Sequence, residues 1–151
     1  MPGWAKALLI TLGVIVVLVI GAIVVGIVYV ARNKDAWQAK GREVAAEGEK
    51  FGANSDNQGC VDESIARYKK EPGYFNGLKT SLFTQGCLEE SRPTPGFCDG
   101  VPVGEMMKLA EWRARQCEHY DLAKDPNCER FLFMPVVIFC GEQRREEGNN
   151  S

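Results

Sequence analysis

The sequence predicts a mainly α-helical protein: a single N-terminal transmembrane helix, then a small disulfide-stitched domain of two helical hairpins. Three observations lead there. Residues 7–30 form one apolar run, ALLITLGVIVVLVIGAIVVGIVYV. All six cysteines, Cys60, Cys87, Cys98, Cys117, Cys128 and Cys140, fall after it. The segments that hold them carry apolar residues at helical spacing, separated by turns rich in proline and glycine.

Residues 1–6 are a short tail. The 24 positions of 7–30 contain no charge. At about 1.5 Å of rise per residue they cross a ~30 Å hydrocarbon core with some tilt. Trp4 and Tyr29 stand near the ends, where amphipathic rings favour the headgroup level. A cleavable signal core is usually about 7–15 residues long and ends at a small-residue site. This run is longer, and Tyr29 stands where a small residue would be wanted. The run therefore reads as a signal-anchor in the lipid bilayer. Ala22 and Gly26, four apart, form a small-xxx-small pair that lets a second helix approach.

Flanking charge and cysteine usage conflict over sidedness. Arg32, Lys34, Lys40 and Arg42 lie just after the run, and the positive-inside rule would place the C-terminal domain in the cytoplasm. An even set of cysteines confined to a small domain reads as a disulfide framework, which needs an oxidising compartment. Long domains translocate largely regardless of flanking charge. The expectation is an extracytoplasmic domain, periplasmic or extracellular, with the cytoplasmic placement as the alternative.

Residues 31–52 read as a juxtamembrane helical stalk. Trp37, Gly41, Val44, Gly48 and Phe51 repeat at a heptad-like spacing, although two glycines weaken it. Trp37 is a candidate contact for a protein partner or a second copy. Residues 53–59, rich in Gly, Asn, Ser and Asp, read as a linker.

The six-cysteine helical domain spans residues 60–141. Val61, Ile65 and Tyr68 mark a first helix, stopped by Pro72-Gly73. Phe75, Leu78, Leu82 and Phe83 mark its partner. Residues 91–104, with three prolines and three glycines, are a loop. Residues 105–120 form a helix whose apolar arc is Val103, Met106, Met107, Ala110, Ala114 and Cys117. Trp112 falls nearly opposite, either packed on the first hairpin or exposed as an anchor for a partner. Asp125-Pro126 offers a cap and a first helical residue. FLFMPVVIFC, residues 131–140, is a buried element that Pro135 should divide, with a strand over 135–140 as the alternative. Residues 142–151 read as a charged flexible tail.

Antiparallel hairpins put the start of one helix beside the end of the next. That logic pairs Cys60 with Cys87, Cys98 with Cys140, and Cys117 with Cys128, one of 15 possible sets.

The remaining chemistry is thin. No Cys-x-x-Cys and no Gly-x-Ser-x-Gly occurs, and His119, two residues after Cys117, is the only histidine. No catalytic, cofactor or metal residue is assigned. Residues 52–151 carry twelve Lys/Arg against sixteen Asp/Glu, which disfavours a nucleic-acid partner. The expected function is a non-catalytic, membrane-anchored interaction or accessory subunit of a membrane or envelope assembly. The alternative is a tethered enzyme or ligand binder using a cleft between the hairpins.

Overall fold

The computed structural model describes residues 3–149, with side chains from residue 10 onward. Among these residues it forms five α-helices and one π-helical turn, and no strand. The chain divides into two compact units, Met1–Lys40 and Gly41–Ser151. Helix α1, Gly3–Gly52, contributes to both.

The first unit is helix alone. From Ile10 to Val30 its side chains are exposed, and the helix is long and apolar enough to cross a membrane. A helix satisfies its own backbone polar groups, which is what an apolar surround requires of it.

In the second unit, α2 (Asn57–Lys70) and α3 (Tyr74–Glu90) form the first hairpin. Asp56 caps α2, its carboxylate accepting from the Gly59 backbone N–H at 2.8 Å. Helix α2 stops at Glu71, whose backbone is pushed out of the helical region ahead of Pro72. Cys60 at the start of α2 is bonded to Cys87 near the end of α3, with Cα atoms 5.7 Å apart. Between the two helices Thr84 Oγ1 lies 2.7 Å from Ser64 Oγ, and Ser64 donates to the Cys60 carbonyl, so both buried hydroxyls are satisfied.

Two expectations change around this hairpin. Residues 41–52 belong to the compact unit, where the sequence suggested a stalk. The reason is glycine. A Cβ on Gly48 would lie 2.2 Å from the Phe83 carbonyl oxygen, one on Gly52 2.3 Å from that of Cys87, and one on Gly86 2.3 Å from that of Ala45. The last turns of α1 and the second half of α3 thus touch backbone to backbone. The 53–59 linker is a tight turn followed by the first residues of α2. Within it Asn57 is buried and clamps the far end of α3: its backbone N–H donates to Arg92 O, its Nδ2 to Ser91 Oγ, and its Oδ1 accepts from Thr94 N.

Helix α4, Met106–His119, ends at Tyr120, and Asp121 takes a left-handed φ of 58°. This lets Leu122 N–H return to the Cys117 carbonyl at 2.7 Å, closing the helix end. The π-helical turn Cys128–Leu132 and α5, Met134–Asn149, come next. The chain breaks at Phe133 and restarts with Pro135 in the first turn, where its missing N–H is harmless. The segment 135–140 is therefore helix and not strand. The expected flexible tail is also helical through Asn149, held by Arg144, which donates to the carbonyls of Cys98 and Val101. Cys98–Cys140 and Cys117–Cys128 complete the pairing the hairpin logic predicts, with Cα atoms 5.4 and 6.0 Å apart.

The apolar arc on α4 is a correction. Met106, Met107 and Ala110 face solvent, while Leu109, Trp112, Gln116, Cys117 and Tyr120 turn inward. Trp112 and Tyr120 bring more area to cover than the methionine–alanine stripe, and they set the rotation of the helix.

The glycine contacts yield a paired test. Gly86→Ala adds helix propensity worth about 1 kcal/mol but overpacks a backbone contact by about 1–3 kcal/mol or more. We expect a net loss of about 2 kcal/mol and a fall in Tm on the order of 10 °C by circular dichroism. Gly41→Ala, where a Cβ meets only Leu82 at 3.7 Å, should leave Tm level or raise it. Equal melts for the two variants would contradict the backbone contact.

Candidate functional site

The predicted contact residues separate in space. Ala22 and Gly26 lie on the exposed apolar helix, and a Cβ on Gly26 would meet nothing within 4 Å. Trp37 is 63% exposed. Trp112 is only 9% exposed. Its ring meets Phe133 edge-on at 5.9 Å. The six predicted disulfide cysteines are all paired. No thiol is therefore left beside His119, whose ring sits edge-on to Tyr120 at 5.0 Å. Among the described residues, no group of three or more His, Cys, Asp or Glu side chains is placed to hold a metal ion.

A cleft does form between α2 and the α4 segment. Gln58 and Val61 of α2 face Trp112, Gln116 and Tyr120 of the α4 segment across it, with Phe133 at its base. Its volume is about 110 Å³. That is well under the roughly 300–1,000 Å³ usual for small-molecule sites, and it suits a few water molecules.

A polar clamp closes one edge. Tyr120 OH donates to Asp62 Oδ1 at 2.7 Å, and Gln58 Nε2 donates to the same carboxylate oxygen and to Tyr120 OH, each at 3.0 Å. Burial, and then the Asp62 carboxylate, push the Tyr120 phenol far above its ordinary pKa. A second clamp links the same elements: Tyr68 OH donates to Asp125 Oδ2 at 2.6 Å, and its pKa is raised chiefly by burial. A phenol held neutral beside a carboxylate is a poor nucleophile and a poor base. These pairs fasten α2 to the end of α4 and the turn after it.

Two apolar surfaces stand outside the core. At the start of α3, Tyr74 and Phe75 meet edge-on at 5.6 Å, and Tyr74 meets Phe131 edge-on at 5.0 Å. Phe131 lies over Gly77, where a Cβ would come within 3.0 Å of its ring. Phe75 is 67% exposed, and Leu78 continues the surface one turn on. At the start of α4, Met106 and Met107 are 85% and 82% exposed.

Sequence reasoning missed the clamps, because no spacing rule links Gln58 and Asp62 to Tyr120 across the chain. The orientation of α4 did leave a signal. Leu109, Trp112, Gln116 and Tyr120 recur at spacings of 3 and 4, a stripe as regular as the one chosen. No protein family, curated protein or solved structure matches this chain, so geometry has to carry the functional reading.

The tyrosines predict an alkaline weakness. A native pKa above the unfolded value of about 10 means that their contribution is complete below pH 10. It is lost as pH climbs, because the unfolded phenols ionise while the native ones resist. Thermal melts from about pH 9 to about pH 11 should show falling stability. Tyr120→Phe should lower Tm at pH 7, by about 1–2 kcal/mol in stability, and flatten the alkaline fall. An unchanged alkaline slope would rule out the Asp62–Tyr120 clamp.

Proposed function

We propose that this chain is a single-pass, membrane-anchored interaction or accessory subunit of a membrane or envelope assembly, its disulfide domain outside the cytoplasm. The observation that carries the reading is the methionine pair at the start of α4. Met106 and Met107 stand out side by side, preceded by Gly104 in a left-handed turn. The frame behind them is rigid: Cys98–Cys140 fixes the loop that leads to them, and Cys117–Cys128 fixes the other end of α4. Flexible thioether side chains on a fixed frame suit a protein partner, since methionine adapts to irregular surfaces. Burying both would contribute about 3–6 kcal/mol.

The apolar helix offers a second route to association through Ala22, Gly26 and Trp37, with a partner helix or another copy. The placement outside the cytoplasm rests on the three disulfides, which outweigh the basic residues Arg32, Lys34, Lys40 and Arg42 after the apolar run.

A tethered enzyme or ligand binder is the second reading, favoured by the cleft between α2 and the α4 segment. The size of that cleft, about 110 Å³, restricts it to ligands of a few heavy atoms.

Two measurements test the first reading. Alkylation of cell membranes before reduction should leave all six cysteines unlabelled, and alkylation after reduction should label all six. Reactive thiols before reduction would sink the extracytoplasmic placement. Purification in gentle detergent should recover a stoichiometric partner that M106S/M107S loses without a change in Tm. A wild-type chain that always migrates alone would overturn the subunit reading.

A further inference from the structure

We propose that the aromatic corner at the start of α3, made of Tyr74, Phe75 and Leu78, rests against the headgroup layer of the bilayer that holds the apolar helix. The inference rests on the membrane anchor but not on any protein partner.

Helix direction locates the corner. Gly52 of α1 meets Cys87, Gly48 meets Phe83, and Gly41 faces Leu82. Helix α3 therefore runs parallel to residues 41–52. Its first turn lies at the end of the unit where the chain enters from the apolar helix. The opposite end carries Cys60, Cys87 and the Asn57 clamp.

The tether is short enough to hold that end near the bilayer. Residues 31–40 separate the apolar run from Gly41, and ten helical residues span about 15 Å. This length keeps the Gly41 end close to the lipid at whatever angle the unit takes. From Leu82 back to Phe75, α3 extends a further seven residues, about 10 Å along its axis. The headgroup layer itself is about 5–8 Å deep on each side.

The chemistry of the corner matches a headgroup layer. The stretch KKEPGYFNGLK, residues 69–79, has three lysines against one glutamate around an exposed Tyr-Phe pair. Lys69, Lys70 and Lys79 are all exposed. Aromatic rings favour the headgroup level, and lysines extend their ammonium groups to lipid phosphates. Arg42, exposed on α1 next to Gly41, adds a cation at the same end.

The test uses the full chain, purified alone and placed in nanodiscs of phosphatidylcholine and phosphatidylglycerol. The variants Phe75→p-benzoylphenylalanine and Leu78→p-benzoylphenylalanine place a photoreactive group in the corner, and Met106→p-benzoylphenylalanine, exposed on a different helix, serves as the control. Intact disulfides, checked by mass, show that each variant has folded. Irradiation should give phospholipid adducts at 75 and 78 that exceed those at 106 several-fold. Equal lipid labelling at all three sites, no lipid labelling in the corner, or crosslinks there only to a second copy would each overturn the proposal. Failure of the anchor reading would look different, because the chain would elute free of the nanodiscs. With no partner in the sample, the subunit reading is not at stake.

Discussion

The second unit depends on one backbone contact. The last turns of α1 lie against α3 so closely that Gly48, Gly52 and Gly86 have no room for a Cβ. Around this crossing the other contacts assemble. Arg67 of α2 reaches Glu47 of α1 at 2.7 Å and Glu63 at 2.7 Å, with its guanidinium 4.1 Å above the Phe83 ring. Phe51 of α1 meets Phe83 at 5.9 Å. The two ion pairs, half-exposed to solvent, contribute little by themselves. The close approach of the helices is what brings their side chains into register.

The disulfides serve the same small core. They close stretches of 27, 42 and 11 residues. In the loop-entropy account each contributes about 3–4 kcal/mol by restricting the unfolded chain. That is a large share of a folding margin of about 5–15 kcal/mol. The bridges fasten the α2–α3 hairpin at its open end, the proline-rich loop to α5, and α4 to the π-helical turn. The Tyr120–Asp62 and Tyr68–Asp125 pairs then lock the end of α4 and the turn after it against α2. With the interior used for fastening, the features available to other molecules lie on the surface. They are the methionine pair, the aromatic corner and the apolar helix.

The two surfaces differ in kind. The methionine pair is flexible and uncharged and projects next to a glycine turn, which suits a protein. The aromatic corner pairs rigid rings with lysines, which suits a headgroup layer. The proposed function and the inferred bilayer contact draw on separate residues, so either can fail alone.

Much of the architecture was legible in the residues. The uncharged run announced a long apolar helix, the proline and glycine clusters marked the turns, and hairpin logic paired the cysteines. These are local signals, carried by composition, by spacing and by the neighbour-to-neighbour geometry of short connections. Tertiary structure alone decided the rest. Gly48 read as a weak point in a stalk because its value lies in α3, some thirty-five residues away. Asn57 read as linker because its partners come from the far end of the hairpin. Helix α4 offered two apolar stripes, and the larger rings of Trp112 and Tyr120 chose between them by the partners they found in Phe133 and Asp62. Residues 142–149 are helical because Arg144 and Cys140 find a loop some forty residues upstream. In each case the deciding energy comes from contact between segments distant in the chain, which no local pattern records.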